Sequence, residues 1–260
     1  MKFPVHIPKP SRFVTHAAID EIASEIARHW IAESNSRPGD YLDVEDYAAS
    51  VLGKDFDWEE IDEPAERTCF ASLDGNRILL NRKYESLFKE RPCLLRSSVA
   101  HEIGHVVLGH LEKLERANQP NLFGESHTRH RFHDSSLRRY DIDKEEYLRL
   151  RISLARHAAV NDAARDMLAS LDDKLEPEWM FYQAEQFASC FLIPKHLLFE
   201  ALETKINLGM WRSLYQLAEV FGTSISMLCV RLQKLNLIKL EGKEISVVTA
   251  TAPTLFQSNA

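Results

Sequence analysis

The chain has 260 residues, of which 45% are hydrophobic, and its formal net charge is −7. This length allows a buried core in one or two domains, and the negative charge argues against a protein that coats nucleic acid. Four scattered cysteines without a C-x-x-C pair indicate reduced thiols rather than a disulfide framework. Because the chain lacks a signal-type start and any apolar run of about 20 residues, we predict a cytoplasmic protein without a membrane segment.

The N-terminal third predicts two helices followed by a β-hairpin. Apolar residues at helical spacing predict a helix over 14–33, and a shorter helix is predicted over 42–52. The acid-rich stretch 55–66 is interpreted as a solvated loop. Asp74-Gly75-Asn76 lies between two apolar runs within residues 69–81, which is typical of a hairpin turn.

The next segment carries the motif His101-Glu102-Ile103-Gly104-His105 on a helix predicted over 93–111. Histidines four residues apart share one face of a helix, so both imidazoles can bind one zinc ion. The glutamate between them is then placed to accept a proton from a zinc-bound water. The alternative is a buried amphipathic helix with ordinary hydrogen-bonded histidines. His110 does not have the offset of a third ligand in the longer zinc motif, and we interpret it as lying behind the site or on the polar surface.

Residues 112–140 are polar and irregular and include His127, His130 and His133. This histidine patch suggests either an extra metal site or a lid, but a surface loop is the favoured interpretation. Helices are predicted over 143–172 and over 178–192, the second ending at Pro194.

A catalytic zinc site needs a third protein donor besides the two histidines. Glu185 is the acid inside the mostly apolar helix over 178–192, where an unpaired carboxylate would be costly to bury. We therefore predict Glu185 as the third metal ligand. The alternative is a surface glutamate beside Gln183 and Gln186.

Residues 211–238 predict two short helices joined at 221–224, a helix-turn-helix pattern. Arg231, Lys234, Lys239 and Lys243 make this region locally positive, as a DNA reader would require for phosphate contacts. However, the polar face of residues 224–235 carries few polar side chains, and a packing or substrate-docking role is the favoured interpretation. Residues 246–260 are predicted to be a flexible tail.

Three blocks of sequence resemble the ImmA/IrrE type of zinc metallopeptidase: 98–108, which contains the H-E-x-x-H motif, 183–194, and 217–232. The resemblance implies a cytoplasmic zinc endopeptidase of zincin-like α+β fold, whose relatives cut helix-turn-helix repressors. It also implies that His101 and His105 are zinc ligands and that Glu102 is the general base. The chain departs from the family at Phe181, where relatives usually have an acid, and in its long segment over about 112–177.

Taken together, the sequence predicts an α+β protein with a small antiparallel hairpin or sheet beside the motif helix. Its predicted parts are a zincin-like domain over 1–208, a helix-turn-helix-like subdomain over 209–245, and the tail. The predicted function is zinc-dependent hydrolysis of a peptide bond in a protein substrate, with the substrate extended along Ile78–Leu80. The alternative is a regulatory protein that binds DNA or a repressor and has an inert metal site.

Overall fold

The computed structural model describes the backbone of 132–133 and residues 15–34, 42–63, 68–110, 180–203, 206–242 and 244–248. The predicted helix over 143–172, the side chains of the histidine patch, Lys243 and residues 249–260 lie outside this part of the chain.

The helices, in chain order, are α1 (His16–Glu33), α2 (Val44–Asp46, continued by a π-helical turn Tyr47–Val51), α3 (Glu85–Glu90, after a 3-10 turn Arg82–Tyr84), α4 (Pro92–Val107), α5 (180–192), α6 (Lys195–Glu203), α7 (Trp211–Val220) and α8 (Ile225–Lys234). The strands are β1 (Asp55–Glu59), β2 (Ala71–Asp74), β3 (Arg77–Asn81), β4 (Phe132–His133), β5 (Ile238–Glu241) and β6 (Glu244–Val247).

The larger sheet has the strand order β1-β3-β2-β4. The predicted hairpin is confirmed: β2 pairs antiparallel with β3, and Gly75 at the turn has a φ of +58° that a glycine adopts without strain. The prediction of a loop over 55–66 is wrong for its first part, because Asp55–Glu59 forms β1 and pairs in parallel with β3. There the acids alternate with Phe56 and Trp58, which is the period-two pattern of a strand.

The interior position of β3 changes the expectation for a substrate strand. Ile78–Leu80 is buried, and β3 pairs with β1 on one side and with β2 on the other. A strand can accept an extended peptide only along an edge whose backbone groups are unpaired. The prediction that substrate lies along Ile78–Leu80 is therefore wrong.

One continuous hydrophobic cluster connects α1, the sheet, the motif helix α4, α5 and the C-terminal helices. Arg231 of α8 lies inside this assembly and is 2% exposed. Its Nε donates to the carbonyl of Ile193 at 3.2 Å, its Nη1 lies 3.1 Å from the Cys190 Sγ, and its Nη2 donates to the Asp20 carboxylate. Arg231 therefore links α8 to α1 and to the C-terminal end of α5. The suggestion that Arg231 contacts phosphate is wrong.

The C-terminal region contains a second hairpin, which was not predicted from the sequence. β5 pairs antiparallel with β6, and Gly242 between them has a φ of +62°. Ile238, Leu240, Ile245 and Val247 alternate around this turn, which was the available signal. Residues 246–247 belong to β6, so the prediction of a flexible tail over 246–260 is wrong for its first two residues. The domain boundary near residue 208 stays a prediction, since the hydrophobic cluster extends across it.

In the part of the chain that the structure describes, no helix has the length and apolar character needed to cross a membrane.

Candidate functional site

The helix α4 brings the two motif histidines together. Pro92 occupies its first turn, where the missing N–H costs nothing. His101 and His105 are both buried, and their Nε2 atoms lie 3.0 Å apart. Two nitrogen ligands on a tetrahedral zinc ion, each about 2.0–2.1 Å from the metal, stand about 3.3 Å apart. The imidazole pair is therefore close to the spacing of a zinc chelate, as the i, i+4 pattern predicted.

Glu102 lies on α4 between these histidines and is 1% exposed. A carboxylate at such depth is costly unless hydrogen-bond donors or a cation compensate its charge. Its position next to the imidazole pair suits a group that exchanges a proton with a water held there.

Gly104 controls how closely the next helix approaches this motif. A Cβ atom on residue 104 would lie 3.1 Å from both the Cα and the carbonyl oxygen of Ala184, and 3.2 Å from the Cβ of Phe187. Only a residue without a side chain allows the backbones of α4 and α5 to come this near. As a result, α5 presents Phe181, Gln183 and Glu185 to the histidines.

Glu185, the predicted third ligand, lies beside the outer nitrogen of His101. Its Oε1 is 3.5 Å from His101 Nδ1, whereas the histidine pair converges through Nε2, and its side chain is 42% exposed. No group of three or more His, Cys, Asp or Glu side chains gathers at one point within the described ranges. The two imidazoles thus fit a zinc ion, but Glu185 in this conformation does not complete the set. Its role as a ligand stays a prediction.

Phe181 packs against the same histidine. The ring centroids of Phe181 and His101 are 5.0 Å apart. A phenyl ring has no lone pair to offer a metal, so the α5 position one turn before Glu185 contributes packing and no coordination.

His110 lies behind the motif and not on the surface, which decides between the two interpretations of the sequence. The turn that follows α4 contains Gly109, whose φ is +68°. His110 is 2% exposed, with its Nδ1 2.9 Å from His105 Nδ1 and its Nε2 3.1 Å from Gln183 Oε1. The sequence predicts no role for Gln183, which stands there only as a neighbour of Glu185. The available signal was a polar residue within an apolar helix.

Comparison with known proteins adds independent information. The family model of the IrrE N-terminal-like domain (peptidase M78) matches residues 155–233. This range contains α5, α6 and α7 and nearly all of α8, and it begins after the H-E-x-x-H motif. No curated protein matches the chain significantly. The match agrees with the resemblance of the sequence to ImmA/IrrE metallopeptidases.

Proposed function

We propose that the protein is a zinc-dependent endopeptidase of zincin-like fold that hydrolyses a peptide bond in a protein substrate. The observation that carries this proposal is the buried pair of His101 and His105 Nε2 atoms, 3.0 Å apart, with Glu102 on the same helix. The family's known substrates suggest a helix-turn-helix repressor as the target and the cytoplasm as the place of action.

His101 and His105 would hold the ion through their Nε2 atoms. Glu185 would join them after rotation of its side chain, which has room to move because it is 42% exposed. An ion held by these residues would supply a water of lowered pKa and a positive charge for the scissile carbonyl. Glu102 takes the proton from the attacking water and returns it to the leaving amine, which is general acid–base catalysis by one carboxylate.

The substitution Glu102→Gln tests this assignment. It keeps the size of the side chain and both imidazoles, so we expect zinc stoichiometry to stay the same while cleavage of a helix-turn-helix repressor falls by at least about 100-fold. Zinc is measured by elemental analysis and cleavage by the appearance of fragments. Glu90→Gln, at an exposed position of α3, is the matched control. A Glu102→Gln protein that cuts at the parental rate would exclude the general-base role.

A second candidate is a regulatory protein that binds DNA or a repressor and has an inert metal site. Phe181 favours it, because this ring lies against His101 and contributes no coordinating atom. The burial of Arg231 counts against DNA as the partner, because it removes one of four positive side chains from that surface. Stoichiometric zinc that is lost in His101→Ala supports the enzyme. Zinc-free protein with salt-dependent DNA binding supports the regulator.

A further inference from the structure

The buried side chains of His105, His110 and Gln183 form a hydrogen-bond network behind the candidate metal centre. His105 Nδ1 lies 2.9 Å from His110 Nδ1, and His110 Nε2 lies 3.1 Å from Gln183 Oε1. All three residues are buried, and Gln183 is separated from His110 by 73 positions of sequence. This hydrogen-bond network therefore connects α5 to the end of α4. It reaches His105 at Nδ1, the ring nitrogen that does not contact His101.

The chemistry of these atoms sets the direction of the hydrogen bonds. A side-chain amide oxygen is only an acceptor, so His110 Nε2 must donate to Gln183 Oε1. In a neutral imidazole one nitrogen donates and the other accepts. His110 Nδ1 is then the acceptor, and the hydrogen between the two Nδ1 atoms belongs to His105.

This direction has a consequence for His105. With its hydrogen on Nδ1, His105 carries a lone pair on Nε2, the atom that lies 3.0 Å from His101 Nε2. Metal coordination requires that lone pair, and the hydrogen bond made by the other ring nitrogen decides which nitrogen is protonated. The opposite tautomer would place a hydrogen where a ligand electron pair is needed.

We propose that His110 and Gln183 are positioning residues that hold His105 in the tautomer and ring orientation required for metal binding. The proposal rests on the proposed metallopeptidase function, because it concerns the same histidine pair. It assigns a reason to the polarity of Gln183 within an apolar helix, and to the turn at Gly109, which directly precedes His110.

The first test uses the zinc-free wild-type protein and needs no metal. ¹⁵N-labelled imidazoles distinguish a protonated ring nitrogen from an unprotonated one by their chemical shifts. We expect His105 to be protonated at Nδ1 and unprotonated at Nε2, and His110 to show the reverse pattern. A His105 ring that is protonated at Nε2 would overturn the proposal.

The second test measures zinc affinity by competition with a chromogenic chelator. His110→Ala and Gln183→Leu are expected to bind zinc about 10–100-fold more weakly than the wild type, as for other partners of metal-binding histidines. His110→Gln should restore affinity to within about threefold, since its amide can accept from His105 and donate to Gln183. Equal affinity in wild type, His110→Ala and Gln183→Leu would refute the positioning role.

The matched control is Gln186→Leu, at another buried glutamine on α5, whose Nε2 contacts Cys190 and whose Oε1 accepts from Lys234. This substitution removes a buried amide from the same helix but leaves the hydrogen-bond network of His105, His110 and Gln183 in place. The zinc affinity of Gln186→Leu should therefore stay that of the wild type. If it loses as much affinity as Gln183→Leu, the effect is one of packing and the proposal fails.

The outcomes separate this proposal from the proposed function. Wild-type protein that binds no zinc refutes the metallopeptidase, while the tautomer of His105 in the same sample still decides the hydrogen-bond direction. Should His110→Ala fail to fold, as shown by circular dichroism, the decision rests on the wild-type tautomer and on Gln183→Leu against Gln186→Leu.

Discussion

The close approach of α4 and α5 at Gly104 gives the most direct test of how this site is built. In Gly104→Ala the added Cβ would lie 3.1 Å from two backbone atoms of Ala184 and 3.2 Å from the Cβ of Phe187. Because Ala184 and Phe187 are fully buried, the strain can be relieved only by moving one helix away from the other. Overpacking of this kind costs about 1–3 kcal/mol, whereas alanine in place of glycine inside a helix gains about 0.5–1 kcal/mol.

The balance predicts a net loss of about 1 kcal/mol, and at most about 2.5 kcal/mol, in the free energy of unfolding; a loss of about 1 kcal/mol is equivalent to a Tm lower by about 2–4 °C in a protein of this size. Urea unfolding followed by circular dichroism measures the loss. Zinc affinity should fall with it, since a displaced α5 carries Gln183 away from His110. Ser97→Ala, on the same helix, serves as the control for helix propensity. A Gly104→Ala protein that is more stable than wild type and binds zinc equally well would refute the reasoning.

Three further predictions concern single side chains. Arg231→Ala should lower the free energy of unfolding by about 3 kcal/mol in urea titrations, because it removes the buried partner of an ion pair and leaves the partly buried Asp20 carboxylate behind; an unchanged midpoint would contradict this. Phe181→Glu should tighten zinc binding by at least about tenfold in chelator competition, because it offers an oxygen donor beside His101 to a site that normally takes three protein donors; Phe181→Leu is the control. Burial raises the pKa of Glu63, but hydrogen bonds, the largest from Lys83, lower it below its ordinary value of 4.5. The stabilising effect of the Glu63 carboxylate is therefore complete above about pH 4.5 and is lost as the pH falls through the lowered pKa. The difference in free energy of unfolding between wild type and Glu63→Gln should accordingly shrink in acid. A difference that stays constant with pH would contradict this prediction.

Local patterns in the sequence were sufficient for the elements whose contacts are local. Residues four apart on a helix share a face whatever surrounds them, so the meeting of His101 and His105 followed from the motif. The hairpin around Gly75 followed in the same way from its turn residues. The strand Asp55–Glu59 was missed because its high acid content outweighed its alternating pattern, and its partner β3 lies about 20 positions further along the chain.

The sequence by itself determined the chemistry on α4: an imidazole pair with a carboxylate between them, set by the 3.6-residue period of a helix. Only the tertiary structure decided what surrounds this pair. The burial of Arg231, the hydrogen bonds of His110 with Gln183, and the place of Glu185 at the outer nitrogen of His101 all depend on which helices pack together and how closely. That approach is governed by contacts such as Gly104 against Ala184, between residues distant in sequence, which no local period encodes.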